Sequence, residues 1–277
     1  MSNFYLAADE LRRRDYERFL CGHLAPTALR AGFHTVLAFN LELVAVSQRL
    51  QEALLGEIRL QWWRDCLASF ANGRPPAGHP LAAALAGLVA ECRLSPERLS
   101  ALIEGRAADL DPEPPADMAA LLEHADATAG NLNLLLLEVL GCKGDLTTGL
   151  AMAQAWALLG TVRNVPFDAA QGRLKLPRSL LMDAGIGGAQ VQASDGHRLA
   201  PVAKALCVEA QRCLAKARSQ QPRASRSALP VLMCGVLADG YIRRLARAGF
   251  DPFAVDLRRP AAWDLTRFYV RARLGRY

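Results

Sequence analysis

The residues best able to do chemistry lie between Leu159 and Pro177, in Leu-Gly-Thr-Val-Arg-Asn-Val-Pro-Phe-Asp-Ala-Ala-Gln-Gly-Arg-Leu-Lys-Leu-Pro. Arg163, Arg173 and Lys175 supply three cations, Asp168 a carboxylate and Asn164 a neutral amide oxygen. Guanidinium groups bind phosphate oxygens bidentately and an ammonium adds a point charge, so this set suits an anion. A hard divalent cation asks for several oxygen ligands, most of them charged, and one aspartate with an asparagine four residues earlier is a weak donor set. An internal role competes with binding, since Arg163 and Arg173 can instead pair with Asp168 or cap helix ends.

The stretch resembles the second signature of the squalene/phytoene synthase family. Active members read roughly Asn-x-x-Arg-Asp-x-x-Glu-Asp and then Gly-Arg-x-Tyr-Leu-Pro. Arg163, Asp168, Gly172, Arg173, Leu176 and Pro177 match, whereas Gly160, Asn164, Phe167 and Lys175 stand where the family has Asn, Asp, Glu and Tyr. The first signature is an Arg-x-x-Asp-Asp-x-x-x-Asp type run, and its lead-in is present as Leu24-Ala-Pro26, Arg30, Ala38, Phe39 and Glu42. Leu43-Val-Ala-Val-Ser-Gln48 then replaces the carboxylates. A third segment, commonly Tyr-x-x-x-Val-Ala-Gly, is matched by His124 through Gly130, with His124 in place of the tyrosine.

The resemblance implies an all-α fold, a single-domain antiparallel helical bundle around a central cavity of the isoprenoid synthase type. In the enzymes two aspartate-rich helices hold Mg²⁺ ions on a substrate diphosphate, which is the chemistry that several carboxylates serve. The departures imply no cofactor here, and Mg²⁺ only if the chain still condenses two isoprenoid diphosphates head to head. They leave a ligand-binding set of Arg30, His124, Arg163, Asn164, Asp168, Arg173 and Lys175. Leu60 to Trp63, His124 to Gly141 and Val162 to Pro166 look most like the family branch of the mitochondrial complex I assembly factor, which also lacks the aspartates. That branch implies a non-catalytic binding or assembly protein with a protein partner in respiratory complex assembly. An enzyme and a carrier of an anionic or isoprenoid lipid are the alternatives.

The elements that must position these residues are helices throughout. Of the 277 residues, 52% are hydrophobic, and the abundance of Ala and Leu with few β-branched runs favours an all-α chain. Helical spacing predicts segments over Ala7–Leu20, Arg30–Val44, Leu50–Phe70, Leu81–Cys92, Asp117–Leu140, Leu146–Val162, Arg198–Arg218, Ala228–Ala248 and Arg259–Leu274. Ser95-Pro96 is an N-cap with proline at the first helical position, opening a further helix through Arg106. Breakers are expected at 72–76, 111–115, 185–196 and 219–227.

The seven cysteines form no Cys-x-x-Cys pair, and the five histidines show no ligand spacing. Trp62-Trp63 between Arg59 and Arg64 could face a nucleic acid, but helical spacing puts Trp62 in the core and leaves Trp63 half exposed, so no nucleic acid is expected. The 33 basic and 27 acidic side chains give +6. All of that excess sits in residues 241–277, where nine arginines face three aspartates. This basic C-terminal arm, at about 250–277, is expected to be a solvated helix face or a peripheral contact with anionic lipid. With no secretory or transit-type leader and no uncharged apolar run near the ~20 residues that span a bilayer, the expected location is cytoplasmic, at most peripheral on the inner membrane face.

Overall fold

The computed structural model describes residues 2–49, 53–70, 78–91, 93–111, 113–142, 144, 146–186, 191–220 and 226–277. The first predicted breaker, at 72–76, and the start of the third helix at Leu50 lie outside them. Every regular element among the described residues is helical.

The chain opens with α1 (Ser2–Arg14), α2 (Tyr16–Gly22) and α3 (Thr27–Arg49), followed by α4 (Ala53–Phe70), α5 (Pro80–Ala90) and α6 (Pro96–Ala107). Next come α7 (Met118–Ala125), a π-helical turn at Asp126–Gly130, α8 (Asn131–Val139) and α9 (Leu146–Ala170). The C-terminal part holds α10 (Arg178–Asp183), α11 (Gly196–Gln220), α12 (Leu229–Leu232), α13 (Cys234–Arg247) and α14 (Ala262–Arg273).

Most sequence-predicted helices are present, with informative breaks. Asp15 adopts a non-helical backbone (φ −140°, ψ 61°) and splits the first segment into α1 and α2. Met233 splits Ala228–Ala248 into α12 and α13. The π turn interrupts Asp117–Leu140, and α10 was not anticipated. Ser95 caps α6 as expected, its hydroxyl accepting from the Arg98 N–H at 3.2 Å.

Two helices form the axis of the core. α3 buries Phe33, Val36, Leu37, Phe39, Leu41 and Leu43, in keeping with its apolar circumference. By length and composition Thr27–Ser47 is apolar enough to cross a membrane, although Arg30 and Glu42 interrupt it; here 56% of it is buried inside the bundle. α9 packs along α11, where Ala203, Ala210 and Ala217 recur every seven residues and are all buried. Small side chains at heptad spacing let the two axes approach closely.

Gly105 does the same for α6 against the π turn. A Cβ there would lie 2.8 Å from the carbonyl carbon of Ala127, a backbone atom that cannot step aside. Gly105→Ala is therefore expected to cost about 1–3 kcal/mol, the usual penalty of overpacking, read as a lower melting temperature. An unchanged melt would show that α6 can slide off the turn.

Trp63, not Trp62, is the core residue. It is fully buried while Trp62 is only partly so. The predicted order is reversed because Phe39 of α3 and His79, the N-cap of α5, enclose Trp63 from two sides, at ring distances of 4.8 and 5.3 Å.

Candidate functional site

α9 carries the motif further than the sequence suggests. The helix does not stop at Val162 but runs through Pro166 to Ala170. Gly172 (φ 66°) then turns the chain out. Helical geometry therefore decides which motif residues can meet. Arg163 and Asp168 are five residues apart, which at about 100° per residue puts them roughly 140° apart around the axis. They face different surroundings.

Arg163 points toward α2 and α13. Its Nη2 donates to Glu17 Oε1 at 2.6 Å and its Nε to the Leu257 carbonyl at 3.0 Å. The guanidinium lies over the ring of Tyr241 at 4.2 Å, with Trp156, two turns back on α9, at 5.4 Å. The Tyr241 hydroxyl donates to the same Glu17 oxygen. Burial, reinforced by the Glu17 charge, raises the Tyr241 pKa well above its ordinary value, so the phenol stays a donor.

Leu257 reaches Arg163 because α13 ends in two left-handed residues, Gly249 (φ 64°) and Phe250 (φ 63°). They fold residues 250–261 back, and the Arg259 guanidinium comes to rest over the Tyr16 ring at 4.4 Å. The result is a cleft of about 520 Å³ lined by Arg13, Arg14, Tyr16, Glu17, Arg163, Asp256, Arg258 and Arg259. Arg258 is bound to Asp256 at 2.8 Å, so this concave surface is cationic but internally paired at Arg163 and Arg258.

The other motif residues lie apart from it. Lys175 Nζ donates to the Asp111 carbonyl at 3.0 Å, and Arg173 donates to Gln171. Asp168 is partly buried and forms no ion pair within 4 Å among the described residues, and burial, only partly offset by Lys175 and Arg173, raises its pKa to about 6. Asn164 and Phe167 are exposed. His124 Nε2 sits 3.1 Å from Asp109 Oδ1. Asp109 also meets Arg106 at 3.0 Å, and Arg106 donates to Asn40 on α3 at 2.9 Å. Against the burial that would raise it, His124 and Arg106 hold Asp109 well below the usual carboxylate range. Arg30 is elsewhere again, donating to the His23 and Ala25 carbonyls, both at 3.1 Å, where it closes the α2–α3 connection.

Six of the seven sequence candidates thus divide among four places, and Asn164 is exposed on α9. Arg163 lies against Glu17, the Asp168–Lys175 group at the end of α9, His124 against Asp109 and Arg30 at the α2–α3 turn. Sequence reasoning missed Glu17 and Tyr241. The available signal was Glu17 at the spacing of Leu20, Cys21 and Leu24, a carboxylate within a buried stripe that must find a cation.

Asp168 offers a direct test of its environment. A carboxyl whose folded pKa is raised is not penalised below its unfolded pKa near 4, and loses stability as pH rises through about 6. Asp168→Asn should therefore stabilise the protein at pH 7.5 by up to about 2–3 kcal/mol and leave it unchanged at pH 4. Equal effects at both pH values in thermal melts would contradict the assignment.

The residues present do not fit a Mg²⁺–diphosphate centre. Val44 occupies an aspartate position of the first signature, and Asn164 and Phe167 an aspartate and a glutamate position of the second. Among the described residues no three His, Cys, Asp or Glu side chains gather as a metal site. Fully buried Phe39, Leu132, Leu135 and Leu158 leave no water-sized void against their own side chains in the middle of the bundle.

A squalene/phytoene synthase family model matches residues 11–267. A Bos taurus protein named NADH dehydrogenase (ubiquinone) complex I, assembly factor 6 is 27% identical over 271 residues, 96% of this chain and 81% of that protein. A presqualene diphosphate synthase of Rhodopseudomonas palustris is 31% identical over 146 residues, covering 52% of this chain and 50% of the relative. A dehydrosqualene synthase crystal structure superposes with a TM-score of 0.82 at 15% identity, covering 99% of this chain and 96% of that one. The shared fold is the all-α isoprenoid synthase type.

Proposed function

We propose that this chain, which belongs to the squalene/phytoene synthase family, works without catalysis as an assembly factor for a respiratory NADH dehydrogenase. The observation that carries this reading is the sequence match to the bovine assembly factor over 96% of this chain, whereas the sequence match to the presqualene diphosphate synthase covers 52% of it. The site chemistry supports it from the other side. A head-to-head condensation needs cations bridged to two diphosphates, and Asp168 is the one carboxylate left at the two aspartate signatures. Arg163, one of the two arginines kept from the second signature, is held by Glu17, Leu257 and Tyr241.

On this reading the partner is a protein of the respiratory complex or of its assembly intermediates, met at the cytoplasmic face of the inner membrane. Deleting the gene in its host should lower NADH:quinone oxidoreductase activity and leave subassemblies on native gels, with recovery on complementation. Normal assembly in the deletion strain would overturn the proposal. So would turnover of farnesyl or geranylgeranyl diphosphate by the purified protein with Mg²⁺ and NADPH.

A further inference from the structure

We infer that the outward face of α14 is a membrane-docking surface for anionic phospholipid. The helix is held firmly by its inner side. Phe268 and Asp264 are buried, Asp264 accepts from Arg243 at 3.0 Å, and α13 comes so close at Gly240 that a Cβ there would collide with the Asp264 carboxylate. Its orientation is therefore fixed, and what it turns outward is not what a solvated helix shows.

Trp263 is 68% exposed, Val270 53% and Leu274 61%. At positions i, i+7 and i+11 they lie within about 40° of one another around the axis, forming one apolar stripe. Arg267 and Arg271 border the stripe on one side and Arg273 on the other, and half-exposed Tyr269 lies beyond Arg273. Leu24, Tyr269, Ala272 and Arg273 line a shallow groove of about 360 Å³ alongside.

The helix is thus apolar inward and apolar outward, with arginines along both seams. Guanidinium groups at such seams can reach phosphate headgroups while the stripe enters the acyl boundary, and an indole suits that interface. Arg267, Arg271, Arg273 and Arg276 form no ion pair among the described residues. The only acid of α14, Asp264, is consumed internally. An unneutralised row of cations beside an exposed aromatic stripe asks for an extended anionic surface. Of the nine arginines in residues 241–277, Arg267, Arg271 and Arg273 lie on α14 and Arg276 just beyond it, so four of these cations are carried by or next to this helix.

This inference stands on α14 alone and does not need the assembly-factor reading. The full-length protein is mixed with phosphatidylcholine vesicles and with vesicles containing 30 mol% phosphatidylglycerol, and binding is followed by flotation and tryptophan fluorescence. Anionic vesicles should bind at least tenfold more strongly, with a blue shift that weakens in high salt. Arg267→Gln, Arg271→Gln and Arg273→Gln together should weaken binding by about a hundredfold, at roughly fivefold per arginine. Trp263→Ala with Leu274→Ser should weaken it about tenfold or more. Trp263→Phe should retain binding and lose the blue shift. Trp263, Arg273 and Leu274 are exposed and Arg267 and Arg271 partly so, so circular dichroism and melting, measured on each variant, should change little. Equal binding to both vesicles, no binding, or full binding by the arginine triple variant would each overturn the inference. Capture of an acidic protein that the same variants abolish, without vesicle binding, would assign the face to a protein instead.

Discussion

Glu17→Ala should destabilise the protein by about 3–5 kcal/mol, the range for breaking one side of a buried ion pair. Glu17 is 4% exposed, and its Oε1 accepts from both Arg163 and Tyr241. Removing the carboxylate strands a guanidinium whose remaining contacts are one backbone carbonyl and two aromatic faces. It also takes the acceptor from a buried phenol, which costs further desolvation. For a chain of this length the melting temperature should fall by roughly 10 °C. Arg163→Lys should recover little, because an ammonium cannot serve Glu17 and Leu257 together while stacking on Tyr241. Glu17→Leu combined with Arg163→Met should be less harmful than either single change, since neither partner is then left charged and alone. Thermal melts of the wild type, these single variants and the double variant decide it. A loss under 1 kcal/mol for Glu17→Ala would mean that water reaches the pair and that it behaves as a surface contact.

That pair also explains how the family stays legible while its chemistry does not. The second signature is easy to find because Arg163, Gly172, Arg173, Leu176 and Pro177 remain. In the structure Arg163, Gly172, Leu176 and Pro177 each have a reason to remain that owes nothing to a diphosphate. Arg163 ties α9 to α2 and to the segment after α13. Gly172 takes the left-handed turn that ends α9, and Leu176 and Pro177 are buried under the entry to α10. The helices themselves could be read from apolar spacing, because a buried face leaves a 3.6-residue imprint. What spacing could not supply was the angular consequence of α9 continuing through Pro166, which separates Arg163 from Asp168. Nor could it supply pairings over long separations, such as Glu17 with Arg163 or Asn40 with Arg106. The π turn was equally hidden, since its Ala-rich sequence looks like ordinary helix. It packs against α6 at Gly105, where a side chain would meet the Ala127 carbonyl group, a contact between residues distant in sequence.

Trp63→Ala should be as costly as Glu17→Ala, at about 3–5 kcal/mol, for a different physical reason. The indole is fully buried, with its ring centroid 4.8 Å from Phe39, 4.9 Å from Trp62 and 5.3 Å from His79, each near edge-to-face. It thereby joins α4 to α3 and to the start of α5, and truncation leaves a cavity that three helices border and none can fill by a rotamer change. Trp63→Phe should cost much less. Nε1 has no hydrogen-bond partner among the described residues, so phenylalanine gives up area and edge contacts while removing an unsatisfied buried donor. The two substitutions therefore separate volume from polarity. If Phe is as damaging as Ala in denaturant melts, the N–H must be partnered, and the packing account of this junction fails. If Phe is tolerated and Ala is not, α3 is positioned by ring packing at Phe39. The same helix then carries Asn40 to Arg106 and sets Val44 where the family's enzymes place a metal ligand.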